Sequence, residues 1–544
     1  MTIGEKIIHL RTSYQISQEK LAKMLSISRQ AISKWESGDS IPQLDKILEL
    51  CDIFKITADE LINDEITIYR EKRIKIQSKN GYKCKYFGTD GFRGEANVTL
   101  NSIYAFKIGR FLGWFYSNPK YNYQKIGHKP KVLIGKDTRR SSYMLEYALA
   151  SGLAASGADV ELMHVTTTPS ISYIVREDSF DAGVMITASH NPFFDNGIKI
   201  INSQGEKLED GIIYLIECYL DNNLEELGLK EEDLPYAERE NIGSINDYSS
   251  GRNRYIGYLV SLAKHSFKSL NIGLDCANGA SWMIAKSVFS ALGARVHVIN
   301  DDPDGTNINV NSGSTHIEVL SNYVRKNKLD IGFAFDGDAD RCLAIDEYGN
   351  VIDGDKIMYL LAVKMKQQGS LEKNTVVATV MSNSGFEKAL KKQGIDLIRT
   401  KVGDRFVYEK MLNEGYSLGG EQSGHIIIKK YSTTGDGILT AIMVVEQMLS
   451  THTKLSELVQ DVKLFPQVLR NIKVTSKNEV MEDQIIINKY HEINNELNGS
   501  GRVLLRESGT EPLIRIMVEA ASIQKCNKYI DELINLIKKR GYLA

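Results

Sequence analysis

Three aspartates recur at every second position in Phe335-Asp336-Gly337-Asp338-Ala339-Asp340-Arg341. The spacers Gly337 and Ala339 are small enough for the loop to turn tightly and bring three carboxylates onto one cation. An all-oxygen donor set without His or Cys selects a hard ion, and Mg²⁺ is the natural partner of phosphate. An EF-hand calcium loop also uses alternate acidic positions followed by a late glutamate, and Glu347 falls where that glutamate would stand. Its sixth position, however, needs glycine for a sharp turn and here is Arg341, and residues 332–335 and 343–345 read as strands, not helices.

A second chemical stretch is Thr187-Ala188-Ser189-His190-Asn191-Pro192, which follows the apolar run of residues 182–186. It reads as a buried strand delivering one hydroxyl to an exposed loop shaped by Pro192 and Gly197. A solitary loop serine means little; beside a cation-binding loop, Ser189 becomes a candidate nucleophile for phosphoryl transfer. A bound dication would neutralise phosphate oxygens as charge redistributes, and a phosphoserine itself brings ~−1.5 to −2 charges. Three carboxylates plus phosphate would overload one dication with negative charge. Nearby cations are therefore required, and Arg93, Lys199 and Arg341 are the candidates.

Positioning these groups takes a multi-domain chain. The 544 residues exceed one core and suggest three to five domains at ~100–200 residues each. An apolar content of 42% and a charged content of 25% are those of an ordinary globular protein. The six cysteines show no CxxC or metal-finger spacing and read as reduced thiols, consistent with a cytoplasmic location. No apolar run approaches the ~20 residues of a membrane span, and the N-terminus opens into an amphipathic helix instead of a signal peptide.

From residue 86 onward, short apolar runs alternate with helical patterns, as in 132–135 with 142–157, 271–275 with 282–293, 331–335 with 356–367, and 376–380 with 386–394. That alternation predicts α/β layers, with ligand sites at the C-terminal ends of strands. Breaks are expected near 240, 348 and 460, giving segments 86–240, 241–348, 349–460 and 461–544. The last alternates Val468, Ile472 and Val474 with a closing helix.

Four motif loops carry a resemblance. The serine and aspartate loops, Gly420-Glu421-Gln422-Ser423-Gly424-His425 and Arg506-Glu507-Ser508-Gly509-Thr510-Glu511-Pro512 together resemble the phosphohexose mutases, the α-D-phosphohexomutase superfamily. Within it they are most similar to the bacterial phosphoglucosamine mutases. The resemblance implies an α/β multi-domain body, with three mixed α/β domains and a smaller α+β C-terminal domain. It also implies a phosphoserine at Ser189 and an Mg²⁺ held by Ser189, Asp336, Asp338 and Asp340.

Gly88-Thr89-Asp90-Gly91-Phe92-Arg93-Gly94 matches the family's opening loop, which places Arg93 beside the phosphoserine. Lys199 matches a lysine that assists proton transfer or steadies the phosphoryl group, and His190 takes a positioning role, since adjacent side chains usually diverge. Glu421, Ser423 and His425 would read the sugar, with Gln422 typical of the glucosamine branch, and Arg341 would face the substrate. Arg506, Ser508, Gly509, Thr510 and Arg515 would anchor the phosphate that is not reacting.

The implied reaction passes the phosphoryl group from Ser189 to O6 or O1 of a glucosamine monophosphate. The resulting glucosamine 1,6-bisphosphate turns over, and the opposite phosphate returns to Ser189. Two features depart from the pattern: a polar, aromatic insertion at residues 117–130, and Glu507 where many relatives carry a neutral residue.

Residues 1–66 form a separate unit. Ser17 and Ser28 read as N-caps, Ile32 and Trp35 as the inward face of a helix over 29–37, and Gly38 as its stop. The first helix shows an apolar stripe of Ile3, Ile7, Ile8 and Leu10, and a fourth carries Leu44, Ile47, Leu48 and Leu50. The run from Ser17 to Gly38 is similar to the helix-turn-helix of lambda-repressor-type regulators, an all-α domain. Double-stranded DNA is then the expected partner, through Gln18, Arg29, Gln30, Ser33 and Lys34.

Charge divides the head. Residues 11–35 carry net +4 and residues 36–66 net −7, so one face could meet phosphate while the other is repelled. A helical protein-interaction module is the alternative. Because a single head makes few phosphate contacts, useful affinity requires a homodimer reading half-sites ~34 Å apart. Residues 69–85 carry net +6 within a linker over 67–85, either a solvated tether or a basic arm along DNA. The rivals for the whole chain are a phosphomannomutase or phosphoglucomutase, and a regulator whose body senses amino-sugar phosphate.

Overall fold

The computed structural model describes residues 2–13, 16–54, 58–62, 84–88, 90–118, 129–497, 499–507 and 513–544. Most of the basic linker and of the insertion at 117–130 lies outside these.

Five helices build the head: Ile3–Ser13, Gln18–Met24, Arg29–Ser37, Leu44–Phe54 and Ala58–Ile62. Ser17 Oγ accepts from the Lys20 N–H at 3.1 Å and Ser28 Oγ from the Ala31 N–H at 3.2 Å, satisfying donors a helix start leaves open. Gly38 ends the third helix at φ 81°, a left-handed turn that glycine makes without strain. Ile7, Leu10, Leu21, Ile32, Trp35, Ile47, Leu50 and Phe54 close a core of their own. The expected stripes are narrower than read. Ile8, Leu44 and Leu48 are exposed, because the helical period carries them off the face that buries Ile7, Leu10, Ile47 and Leu50.

The body begins slightly earlier than the linker reading had it. The backbone N–H groups of Lys85, Tyr86 and Phe87 all donate to the buried carboxylate of Glu217, at 2.9, 2.7 and 2.8 Å. Lys85 is therefore tied into the first domain.

That domain is a seven-stranded sheet in the order Phe87–Gly88, Gly91–Glu95, Asp195–Asn202, Ala182–Ile186, Lys131–Lys136, Asp159–Val165, Ile245–Asp247. Ile245–Asp247 extends it past the break expected near 240. All three of its residues are exposed, so no apolar signal announces this edge strand.

The second sheet has five strands, Val351–Ile352, Cys342–Ile345, Ile331–Phe335, Asn271–Asp275 and Arg295–Ile299. The third has four: Asp396–Thr400, Thr375–Thr379, Leu418–Gly420 and Ile426–Ile428. The fourth is a three-stranded antiparallel sheet, Gln467–Lys473, Leu513–Glu519 and Arg502–Glu507, covered by the helices Gln484–Leu497 and Ile523–Lys539.

The first three sheets repeat one device. Each turns from parallel to antiparallel pairing at a hairpin, and each hairpin loop holds a motif. Ser189 lies between Ala182–Ile186 and Asp195–Asn202, the aspartates between Ile331–Phe335 and Cys342–Ile345, and Glu421 to His425 between Leu418–Gly420 and Ile426–Ile428. Strands on both sides of the aspartates also exclude the EF-hand alternative, which requires helices.

Candidate active site

Ser189 is buried at the end of a strand with no exposed residue, and its backbone is left-handed at φ 52°. For a residue with a Cβ that conformation costs about 1–2 kcal/mol, so the surroundings must enforce it. They do so at both ends of the peptide unit. Its N–H donates to Thr187 Oγ1 at 2.9 Å, and its carbonyl accepts from Arg139 Nη2 and Asn309 Nδ2, each at 2.9 Å. The turn aims Ser189 Oγ at the aspartate loop, where it donates to Asp336 Oδ2 at 2.6 Å. The two loops meet backbone to backbone at Gly337, where an added Cβ would lie 2.4 Å from the Ser189 carbonyl oxygen.

Asp336, Asp338 and Asp340 are buried, and one carboxylate oxygen from each lies within 4.8 Å of the other two. Asp338 Oδ1 and Asp340 Oδ1 accept no hydrogen bond among the described residues. Buried carboxylate oxygens left in that state are costly, and an all-oxygen set of this kind suits a hard dication. Burial, with Asp340 and Asp338 beside it, pushes the Asp336 carboxyl well above the usual carboxylate range. For Asp340 burial pushes the same way, but Lys199 and His425 outweigh it and hold the group well below that range.

Lys199, on the strand after the serine loop, donates to Asp338 Oδ2 at 2.7 Å and Asp340 Oδ2 at 3.1 Å. Burial opposes its charge, but Asp338, Asp340 and Asp90 more than compensate and raise its pKa, which keeps it an ammonium. That fits steadying charge better than accepting a proton. Arg93 Nη2 donates to Asp90 Oδ2 at 2.7 Å.

His190 does not diverge from its neighbour: the left-handed turn brings Nδ1 to 3.3 Å from Ser189 Oγ and 3.0 Å from Arg341 Nη1. Burial, Arg341 and Arg93 depress its pKa to about 4, so it is neutral, and Arg341 takes the Nδ1 lone pair. That arrangement fits a positioning role better than that of a base.

The third loop joins through His425, which is buried, with Nδ1 3.6 Å from Asp340 Oδ1 and Nε2 3.5 Å from Asp404 Oδ2. Burial works against its charge, but Asp404 and Asp340 raise its pKa to about 9. The Gly435 N–H, aimed at Nε2 from 3.0 Å, pulls toward the neutral ring. Glu421 Oε1 accepts from the Gly403 N–H at 3.1 Å, and burial pushes its carboxyl up. Ser423 is exposed at the hairpin tip.

In the fourth domain Arg506 and Arg515 face each other in register across antiparallel strands. Burial, then Arg515, lowers the Arg506 pKa. Like charges in that position destabilise a sheet unless an anion relieves them. Ser508, Gly509 and Thr510 lie outside the described residues.

Several contributors escaped the sequence reading. Thr168 donates to Asp338 through both its N–H and its hydroxyl. Lys207 bridges Asp90 at 2.9 Å and Asp404 at 2.7 Å, linking the first and third domains. Isolated charges and hydroxyls carry no sequence signal. Arg139 did have one: Asp137-Thr138-Arg139 ends an apolar run as the recognised motifs do.

On the head, Arg29, Gln30, Ser33 and Lys34 are exposed on the third helix. Gln18 is half-buried and committed, donating to Glu36 Oε2 at 2.8 Å and accepting from Arg29 Nε at 3.4 Å. Glu36 also holds Arg11 at 2.6 Å.

Comparison with known proteins follows the same division. Residues 84–226, 253–349 and 353–465 match alpha/beta/alpha domains I, II and III of phosphoglucomutase/phosphomannomutase, and 469–536 match its C-terminal domain. Residues 7–61 match a helix-turn-helix family. A phosphoglucosamine mutase of Lachnospira eligens is 57% identical over 458 residues, 84% of this chain and 99% of that protein. One of Bacillus subtilis is 45% identical over 454 residues, 84% of this chain and 98% of that protein. Those matches use up almost the whole of each relative and leave no counterpart of the head.

Among solved structures, a phosphoglucomutase/phosphomannomutase family protein of Burkholderia thailandensis superposes with a TM-score of 0.68 at 23% identity, covering 84% of this chain and 98% of its own. N-acetylphosphoglucosamine mutase of Aspergillus fumigatus, in complex with GlcNAc-6P and magnesium, gives 0.60 at 17%, covering 86% and 98%. At those identities the likeness is one of fold.

Proposed function

The chain belongs to the phosphoglucomutase/phosphomannomutase family of isomerases, and from that premise we propose that its body interconverts glucosamine 6-phosphate and glucosamine 1-phosphate through a phosphorylated Ser189. The observation that carries the reading is the Ser189 hydroxyl, 2.6 Å from Asp336 within a buried carboxylate triad. The amino sugar is supported by body-length relatives named phosphoglucosamine mutase at 45–57% identity, and by Gln422 in the sugar loop.

Asp336, Asp338 and Asp340, with Ser189 Oγ, would hold Mg²⁺, which when bound supplies charge neutralisation at the phosphoryl oxygens. Lys199 and Arg341 supply fixed positive charge beside it, and Arg93, paired with Asp90, lies on the strand next to that of Lys199. The Ser189 hydroxyl proton points at Asp336 Oδ2, an oxygen placed to hold it as Oγ attacks. Glu421 and His425 face the sugar, and Arg506 and Arg515 anchor the distal phosphate. Glucosamine 1,6-bisphosphate serves as primer and intermediate, reorienting before the second phosphate returns to Ser189.

The head is proposed to bind double-stranded DNA as part of a cytoplasmic homodimer, on the strength of the exposed polar face of its third helix. A body that only sensed sugar phosphate would need neither Ser189 nor the triad.

The test is turnover of glucosamine 6-phosphate with Mg²⁺ and glucosamine 1,6-bisphosphate, beside glucose and mannose 6-phosphates. Turnover preferring the amino sugar, lost in Ser189→Ala and on chelation, is expected. Preference for glucose or mannose would make it a phosphoglucomutase or phosphomannomutase, and no turnover on any sugar would favour the regulator.

A further inference from the structure

The carbonyls that follow the nucleophile converge on one buried guanidinium. Arg139 is fully buried, and each of its five side-chain N–H groups is used. Nε donates to Asp137 Oδ2 at 2.8 Å, Nη2 to the carbonyls of Ser189 and Asn191 at 2.9 and 2.8 Å, and Nη1 to those of Pro192 and Asp195, the latter at 3.1 Å. One side chain thus grips three backbone oxygens of the serine loop and a fourth at the start of the strand that follows it. A guanidinium is the side chain suited to this, because its donors are fixed in a plane.

Asn309, from the second domain, reaches the same loop from the other side. Its Nδ2 donates to the carbonyls of Ser189 and Asn191 at 2.9 and 3.1 Å, so each of these oxygens is held twice, once from each domain. The Arg139 segment is itself fixed to the second domain: Thr138 Oγ1 donates to the Asn278 carbonyl at 2.6 Å, and the Arg140 N–H to that of Gly305 at 2.9 Å.

We propose that Arg139 and Asn309 are positioning residues of the phosphoryl transfer: together they fix the Ser189 carbonyl across the boundary between the first and second domains, and so fix where Oγ stands against the aspartate loop. Neither touches the reacting atoms. The inference rests on Ser189 being the phosphoryl acceptor, and it adds that alignment of the acceptor depends on closure of these two domains.

Asn309→Asp keeps the shape of the side chain but sets acceptors against two carbonyl oxygens; Arg139→Lys keeps the charge but loses the fork. Both are assayed in the full chain beside the unaltered protein, with glucosamine 6-phosphate and glucosamine 1,6-bisphosphate. The expected result is a fall in kcat of about 10- to 100-fold, as for small misplacements of a reacting group. KM should stay within about twofold, well inside a tenfold affinity step. Phosphorylation of Ser189 by the bisphosphate should slow by the same factor as kcat, both rates being taken per folded molecule.

An unchanged kcat, or a loss seen only as raised KM or as a lower melting temperature with kcat per folded molecule preserved, would overturn the proposal. If Arg139→Lys does not fold, Asn309→Asp decides, with Asn309→Ala as the variant that removes the donors without adding repulsion. An inactive unaltered chain would overturn the mutase reading and this inference with it, whereas an active chain with unaffected variants overturns this inference alone.

Discussion

At the scale of single residues, the site depends on contacts too close for any side chain. Gly337 lets the aspartate loop lie against the Ser189 carbonyl, where a Cβ would meet oxygen at 2.4 Å. Both partners are backbone, so neither can rotate away. Gly337→Ala is expected to cost about 1–3 kcal/mol in stability, as overpacking does, and to lower kcat by at least ~100-fold as the loops part. Thermal melts and steady-state rates on one preparation check both. The residues that sequence made legible were those grouped in motifs: Ser189 and the three aspartates announce themselves by spacing. Asn309, Thr168 and Lys207 stand alone in sequence and gain meaning through partners 100 or more residues away, as Lys207 does with Asp90 and Asp404.

At the scale of elements, the third and fourth domains meet through a buried polar joint. Arg502 Nη2 donates to the Ser382 carbonyl at 2.6 Å and Glu519 Oε1 at 2.9 Å, and the Ser384 N–H and hydroxyl donate to Glu519 Oε2 at 3.0 and 2.7 Å. Beneath it Asp355 is fully buried and accepts from the Asn383 N–H at 2.7 Å. Burial, then Asp353, raises its pKa to about 7. A carboxyl raised on folding stabilises the native state most below its ordinary value, and that stability is lost as pH rises through the raised one. The contribution of Asp355 to stability should therefore decline between about pH 4 and 7. Asp355→Asn, which keeps an acceptor for the Asn383 N–H, should remove that decline and melt at least ~2–4 °C higher than wild type at pH 8, with the gap closing by about pH 5. Melting curves at the two values decide it. Strands and helices with apolar periodicity were readable in advance, as Asn271–Asp275 and Ile331–Phe335 were; Ile245–Asp247, exposed throughout, was not.

At the scale of the whole molecule, the head's division of charge predicts how it meets a partner. The full chain should bind a duplex carrying two half-sites ~34 Å apart. Affinity should fall steeply with salt as phosphate contacts displace counterions, and replacing Arg29 and Lys34 together by alanine should remove both binding and much of the salt slope. Duplex selection and titration at two ionic strengths measure this; affinity indifferent to salt and to both substitutions would make the head a protein-interaction module. The division into head and four-domain body was legible because each part has its own pattern, while the pairing of distant loops was not, since no local signal encodes which strand end will face which. That pairing also sets an order in time. The head closes its core within the first 62 residues, but the candidate site draws on loops at 189, 336–340 and 421–425, and the proposed phosphate-anchoring pair Arg506 and Arg515 is complete only at 515. With translation at ~5–20 residues per second, a nascent chain carries a finished head for roughly 20 to 90 s before a catalytic centre can exist. Throughout that interval the head stands folded on a ribosome-bound chain whose later domains are still being added, and whatever the head binds can capture the protein before it is an enzyme.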